Sequence, residues 1–233
     1  MKQVRIENLG LIDYKEAWEY QEKLFTKISE QKQANRNLDK ADQIQSLNHL
    51  LICEHPHVYT LGKSGKFEHL LINNEQLKAK GASFYKINRG GDITYHGPGQ
   101  LVVYPIFDLD QFFTDIHKYL RFLEEAVILT LKEYGISAER STGETGVWLD
   151  IGTMNARKIC AMGVRASRWI TMHGLAFNLN TDLDYFTNII PCGITDKSVT
   201  SLNIELRKQV DIKEVAQKLT GHLQDLFEFQ ISN

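Results

Sequence analysis

Cysteine is scarce in this chain, with three among 233 residues, Cys53, Cys160 and Cys192, at no regular spacing. A disulfide framework is excluded, and a reducing, cytoplasmic location is expected. Proline numbers 4 and glycine 16, which excludes collagen-like and low-complexity chains. Neither sign of charge prevails: 27 Lys and Arg stand against 29 Asp and Glu, so no basic excess points to a nucleic-acid partner. No stretch approaches the roughly 18 apolar residues of a membrane span, and MKQVRIENLG has no apolar signal core. Neither a membrane partner nor a leader is expected. What is present is a core-forming composition, 42% hydrophobic and 24% charged. With no internal repeat and no compositional break, one domain over residues 1–233 is expected.

Periodicity places the elements. Val4–Asn8 alternates as a short strand, and Tyr14, Trp18, Gln21, Phe25 and Ile28 recur at helical spacing behind Asp13, a plausible N-cap. Residues 31–46 are almost wholly polar and read as an exposed, mobile loop. His49–Cys53 is an apolar run that Tyr59–Leu61 extends beyond Pro56, Ser83–Asn88 alternates, and Leu101–Phe107 is a strongly apolar strand. Ile116, Tyr119, Leu120, Leu123, Val127, Thr130 and Tyr134 mark one face of a long helix closed by Gly135. Three strands follow at Gly146–Asp150, Lys158–Arg165 and Ile170–Leu179, and Asp211 with Glu214 reads as a capping pair for a last helix. Strands in adjacent runs argue for an α+β fold with a mixed or antiparallel sheet.

The most unusual stretch, Arg89-Gly-Gly-Asp-Ile-Thr-Tyr-His-Gly-Pro-Gly-Gln100, packs four glycines and a proline into 12 residues. Glycine admits positive φ and close backbone approach to a ligand. Two tight turns would account for the glycines but not for Arg89, Tyr95 and His96. The phosphate-loop pattern GxxxxGK[ST] is absent, which argues against a nucleotide loop here.

RGGDITYHGPGQLVVYPIFDL resembles the signature of the octanoyl (lipoyl) transferases. EHPHVYTLG at 54–62, RKICAMGVR at 157–165, and HGLAFNLNTDL followed by IIPCGI between 173 and 194 agree in order. The resemblance implies a biotin/lipoate protein ligase-like fold, a mixed sheet flanked by helices. It implies transfer of an octanoyl group from octanoyl-acyl carrier protein to a lysine of lipoyl domains, those of 2-oxoacid dehydrogenase complexes and the glycine cleavage H protein. It implies a cysteine thioester on the way, at the first step of lipoate biosynthesis, and no cofactor or metal.

By position, the resemblance makes Cys192 the nucleophile and Lys158 its catalytic partner. By residue type alone Cys192 reads better as a buried structural thiol, and Lys158 as a solvated edge residue; the resemblance reverses both. The pair makes chemical sense, because a neighbouring ammonium favours the thiolate. Substrate contacts carry over to Arg89, Gly90, Gly91, Asp92, Ile93, Thr94, Tyr95 and His96, to Ala161, Met162 and Gly163, and to Gly174, Leu175 and Ala176. Backbone N–H groups beside Gly97, Gly163 or Gly193 are open as oxyanion donors.

Rivals remain within the sequence. Cys160, two residues from Lys158, would share its strand face and competes as nucleophile, but Ile159-Cys160-Ala161 reads as buried strand, which favours Cys192. His96 or His173 would serve as base in place of Lys158. Cys53, His55 and His57 have the spacing of a partial zinc site that Pro56 interrupts. From Ile151 to Thr181 there is no acid, while Arg157, Lys158, Arg165 and Arg168 are basic, so a basic rim for acidic partners is expected. Two other functions compete: an ATP-dependent lipoate-protein ligase of the same fold, and a non-catalytic acyl-binding module.

Overall fold

The computed structural model describes residues 2–190 and 198–232. Its strands are β1 (Gln3–Leu11), β2 (Asn48–Glu54), β3 (Val58–Leu61), β4 (Ser83–Lys86), β5 (Ile93–His96), β6 (Gln100–Ile106), β7 (Glu139–Arg140), β8 (Val147–Leu149), β9 (Arg157–Ser167), β10 (Ile170–Asn178), β11 (Ser198–Val199) and β12 (Gln230–Ser232). Its α-helices are α1 (Tyr14–Asn35), α2 (Asn74–Ala79), α3 (Ile116–Glu133), α4 (Leu202–Leu206) and α5 (Ile212–Phe227).

The main sheet runs β12-β1-β2-β6-β10-β9-β8-β7, with β11 added on β9. It is mixed. β1 pairs parallel with β2 and β12, and β11 parallel with β9, while the central β2/β6/β10/β9/β8 pairings are antiparallel. A smaller sheet, β4-β3-β5, stands beside it. The sequence joins Tyr59–Leu61 to the run before it, but β3 belongs to this second sheet. Pro56, which has no N–H to give a ladder, marks the break.

Two apolar layers hold the main sheet. On one face α3 and α5 pack on Leu101, Val103, Leu175 and Phe177; on the other, α1 packs on Leu51, Val102, Tyr104 and Ala176. Asp13 caps α1 by accepting from the N–H groups of Lys15 and Glu16, and Tyr14, Ala17, Gln21, Leu24 and Ile28 form its buried stripe. The helix runs on to Asn35, so the first residues of the polar 31–46 stretch are helical and not loop. An apolar face is not required there. Lys32 is held by Asp108 and Asp110, and the Asn35 side chain is bonded to both backbone groups of Ile44.

Gly135 closes α3 as its position requires, at φ +74°, with Ile136 N–H donating back to Leu131 O. At α5 only half of the expected capping pair acts as a cap. Asp211 accepts from Lys213 N–H, while Glu214 accepts from the Tyr134 hydroxyl. Glu124, expected on no buried face, is fully buried on α3. Arg121 and Arg140 pair with it, and Gly146 N–H donates to its Oε1 at 3.0 Å, tying α3 to the turn that launches β8.

Leu123 lies at the centre of the larger core with no exposed surface. Leu123→Ala is expected to lower unfolding free energy by about 2–5 kcal/mol, read as a shifted urea midpoint at an unchanged slope.

Candidate functional site

The site forms where the main sheet runs out of partners. β9 has 11 residues and its neighbour β8 only 3, paired with residues 157–160 of β9. Beyond that pairing, the edge of β9 is met next by Gly90, whose N–H donates to Val164 O at 3.1 Å. Between the two contacts opens a cavity of about 430 Å³. Arg89–Thr94 wall one side and Ala161–Val164 another; Leu120 of α3, Trp148 and Phe186 add apolar surface, and Lys158, Ser198 and Val199 close the circuit. A smaller cavity of about 40 Å³ adjoins it, sharing Arg89, Thr94 and Ala161–Gly163 and adding Tyr14, His96, Tyr104 and His173–Ala176.

Glycine makes these close approaches feasible. A Cβ on Gly163 would stand 2.6 Å from Arg89 Nη1, and one on Gly174 would stand 2.1 Å from Val103 O. Arg89 is buried and donates through Nη1 to Gly90 O at 2.6 Å and through Nη2 to Asp92 O at 2.8 Å. Its guanidinium therefore folds its own glycine turn around itself. Asp92 accepts from Ile93 N–H at 2.6 Å, and its other oxygen lies 2.5 Å from His69 Nδ1.

The Lys158 ammonium lies 4.5 Å from the centroid of the Trp148 ring, so an aromatic face orients it at the cavity wall. A β-bulge decides the contest between Lys158 and its neighbour. Val147 pairs with Cys160 and Trp148 with Lys158, leaving Ile159 as the extra residue. The bulge breaks the alternation that would have put Lys158 and Cys160 on one face. Cys160 joins the large core with no exposed surface, and burial pushes its thiol far up. The burial expected of Ile159-Cys160-Ala161 is found at Ile159 and Cys160, and only the strand face expected to be shared with Lys158 is corrected.

Cys192 lies outside the described residues. The chain before it is fixed by Ile190 N–H donating to His69 O at 2.9 Å. The chain after it re-enters as β11, with Ser198 opposite Arg157 and Val199 opposite Lys158.

Most of the expected substrate residues line one or both cavities: Arg89–Thr94 and Ala161–Gly163 the larger, and His96 and Gly174–Ala176 the smaller. Tyr95 is the exception and lines neither. Strand alternation turns it to the other face of β5, where it packs with Tyr59 and Phe186 and its hydroxyl lies 2.7 Å from His57 Nδ1. Gly97 follows it to that side, since a Cβ there would strike the Tyr95 hydroxyl. Residue reading missed Leu120, Trp148, Phe186, Tyr14 and Tyr104. Trp148 alone carried a usable signal, a large aromatic in a three-residue strand next to a glycine.

Three buried histidines are held neutral. Burial pushes His55 down to about 4 and both His96 and His173 down to about 3, with the Arg89 guanidinium also acting against protonation of the latter two. His55 donates from Nδ1 to Ile12 O and accepts at Nε2 from the Tyr104 hydroxyl, while His96 donates from Nδ1 to Gln100 Oε1. His55 is thus committed within the protein, and His57, just before β3, stacks on Tyr185 with ring centroids 4.0 Å apart. The basic rim is also reduced. Arg157 is paired with Asp150 and Glu205, and Arg165 with Glu22, so two of its four charges are locally balanced.

With that geometry in view, the chain matches the family described as the lipoyl protein ligase A/B catalytic domain over residues 13–224, and it belongs to that family. The fold agrees. A bipartite lipoate protein ligase from Thermoplasma acidophilum superposes with a TM-score of 0.67 at 19% identity, over 100% of this chain and 87% of that one. A lipoate-protein ligase A bound with ATP gives 0.65 at 17% identity, over 99% and 87%. Among sequences, an octanoyltransferase of Christiangramia forsetii is 64% identical over 231 residues, 99% of this chain and 98% of the relative. One from Flavobacterium johnsoniae is also 64% identical, over 99% of each.

A pH dependence follows from the neutral histidines. In the unfolded chain each takes up a proton near its ordinary value of about 6.5, whereas the fold resists it. Their contribution to stability is complete above about pH 6.5 and is lost as pH falls toward the folded values. The guanidinium midpoint is expected to fall below pH 6.5, and His96→Gln to flatten that fall by up to about 1.4 kcal/mol per pH unit.

Proposed function

We propose that this chain is an octanoyltransferase that carries the octanoyl group as a thioester on Cys192, between octanoyl-acyl carrier protein and a lysine of a lipoyl domain. The observation that carries the reading is the placing of the Lys158 ammonium at a cavity with apolar walls, beside the strand β11 that follows Cys192. The name borne by the 64% identical relatives supports the same reading. The acceptors in view are the lipoyl domains of 2-oxoacid dehydrogenase complexes and the glycine cleavage H protein. The location is the cytoplasm, where thiols stay reduced. Among the described residues no helix is long and apolar enough to cross a membrane.

In the first half-reaction the Cys192 thiolate attacks the thioester carbonyl. A bond forms between that sulfur and the acyl carbon, the bond to the pantetheine sulfur breaks, and Lys158 gives the departing thiolate its proton. In the second, the acceptor amine attacks the enzyme thioester, the new C–N bond replaces the C–S bond, and Lys158 receives the amine's proton. A free thiol of pKa about 8.5 is only a few per cent ionised at neutral pH, so an ammonium within about 4–6 Å matters most before the first attack. Thioester aminolysis runs downhill, and no nucleotide is required.

The acyl chain fits the larger cavity, against Leu120, Met162, Val164 and Phe186. Seven buried methyl(ene) groups at about 0.8 kcal/mol each supply on the order of 5 kcal/mol of binding. One group more or less shifts this too little to select a length, so the cavity's depth must do so by excluding longer chains.

Two outcomes are expected. Incubation with octanoyl-carrier protein, without ATP, yields an octanoyl adduct by intact mass that passes to an apo lipoyl domain. Cys192→Ser abolishes the adduct and Lys158→Ala slows its formation at least about tenfold. An adduct that requires ATP would select the ligase reading, and one mapped to Cys53 or Cys160 would defeat the choice of nucleophile. Separately, hexanoyl and decanoyl donors are expected to react measurably and hexadecanoyl poorly; equal rates across the series would refute selection by depth.

A further inference from the structure

A loop beside the cavity carries charge and aromatic surface for which the transfer chemistry has no use. Residues 62–64 are laid along the glycine-rich wall. Gly62 N–H donates to Asp92 O at 3.1 Å, Lys63 N–H to Arg89 O at 2.9 Å and Ser64 N–H to Gly91 O at 3.1 Å. The chain then turns outward. Phe67 is 61% exposed, and Lys86 of β4 holds its ammonium 5.3 Å from the Phe67 ring. Lys63 and Lys66 are exposed as well, and among the described residues none of these three lysines forms an ion pair. The loop's single acid is Glu68. The result is a compact cationic patch around an exposed ring, one loop's width from the cavity.

We propose that Lys63, Lys66, Phe67 and Lys86 form the docking surface for the acidic carrier protein that delivers the acyl thioester. This rests on the acyl-transfer reading given above. Charge complementarity favours an acidic partner, and arm length decides which one. The exposed lining residues at the mouth are Gly91, Gly143 and Ser198. An acceptor lysine has a short side chain, so its domain must sit directly over that opening. A phosphopantetheine arm is several times longer, and a carrier seated on the patch still reaches inside. The unpaired lysines also steer its approach, an effect that salt weakens.

The test is steady-state kinetics of Lys66→Glu/Lys86→Glu, two side chains remote from the reacting atoms. KM for octanoyl-carrier protein is expected to rise about tenfold or more, with a flattened salt dependence, while the rate with octanoyl-pantetheine is unchanged. An unchanged KM for the carrier overturns the proposal. A rise confined to the lipoyl-domain acceptor also overturns it and assigns the patch to that partner. Failure of the wild-type chain to react with octanoyl-pantetheine would strike the transfer reading instead. Carrier binding by calorimetry then decides the patch, and equal affinity of wild type and variant rejects it.

Discussion

The site depends on a mismatch in strand length. An antiparallel pair must satisfy backbone groups on both members, yet β8 ends after three residues while β9 continues through eleven. The uncovered edge is neither paired along its length nor left to water; the turn at Gly90 closes it once, at Val164, and a cavity remains between the two contacts. Everything placed there follows from that gap. Glu124 pins the turn before β8 through Gly146, the bulge at Ile159 turns Lys158 to the opening, and β11 comes in beside it. Edges of this kind invite aggregation when flat and apolar. Here the edge is short, bulged and crossed by a glycine turn.

Electrostatics in the site is a matter of restricting where positive charge sits. His96 and His173 are buried near Arg89, with His55 beside His96, and their neutrality leaves Arg89 as the fixed cation of the smaller cavity. Lys158, held over an aromatic face, is the amine at the larger one. The division suits chemistry in which one amine exchanges protons and other bases would compete. It also separates the two cavity cations from Arg157 and Arg165, whose partners make them parts of the scaffold.

The residues differ in how far their roles are legible in the chain. Asp13, Gly135 and Asp211 act as the sequence implies, because caps depend on the few residues around them. The continuation of α1 to Asn35 was hidden, because its last turn is secured by Asp108 and Asp110, far away in sequence. The glycine-rich segment announces a ligand wall through Arg89 and His96, yet it cannot show that Tyr95 faces away. That follows from the pairing of β5 with β3.

From the chain alone come the α+β class and the family signature, whose resemblance implies that Arg89–His96, Lys158, Ala161–Gly163 and Gly174–Ala176 serve one site. Local spacing and motif order are both written in one dimension. Only the tertiary structure separates Lys158 from Cys160, because a bulge is a property of two paired strands and not of either one. It alone brings Trp148, Leu120 and Phe186 to the cavity, and Tyr14 and Tyr104 to its neighbour, from elements with no sequence proximity. Contacts of that kind are chosen by packing, and packing is decided when the sheet closes around its helices.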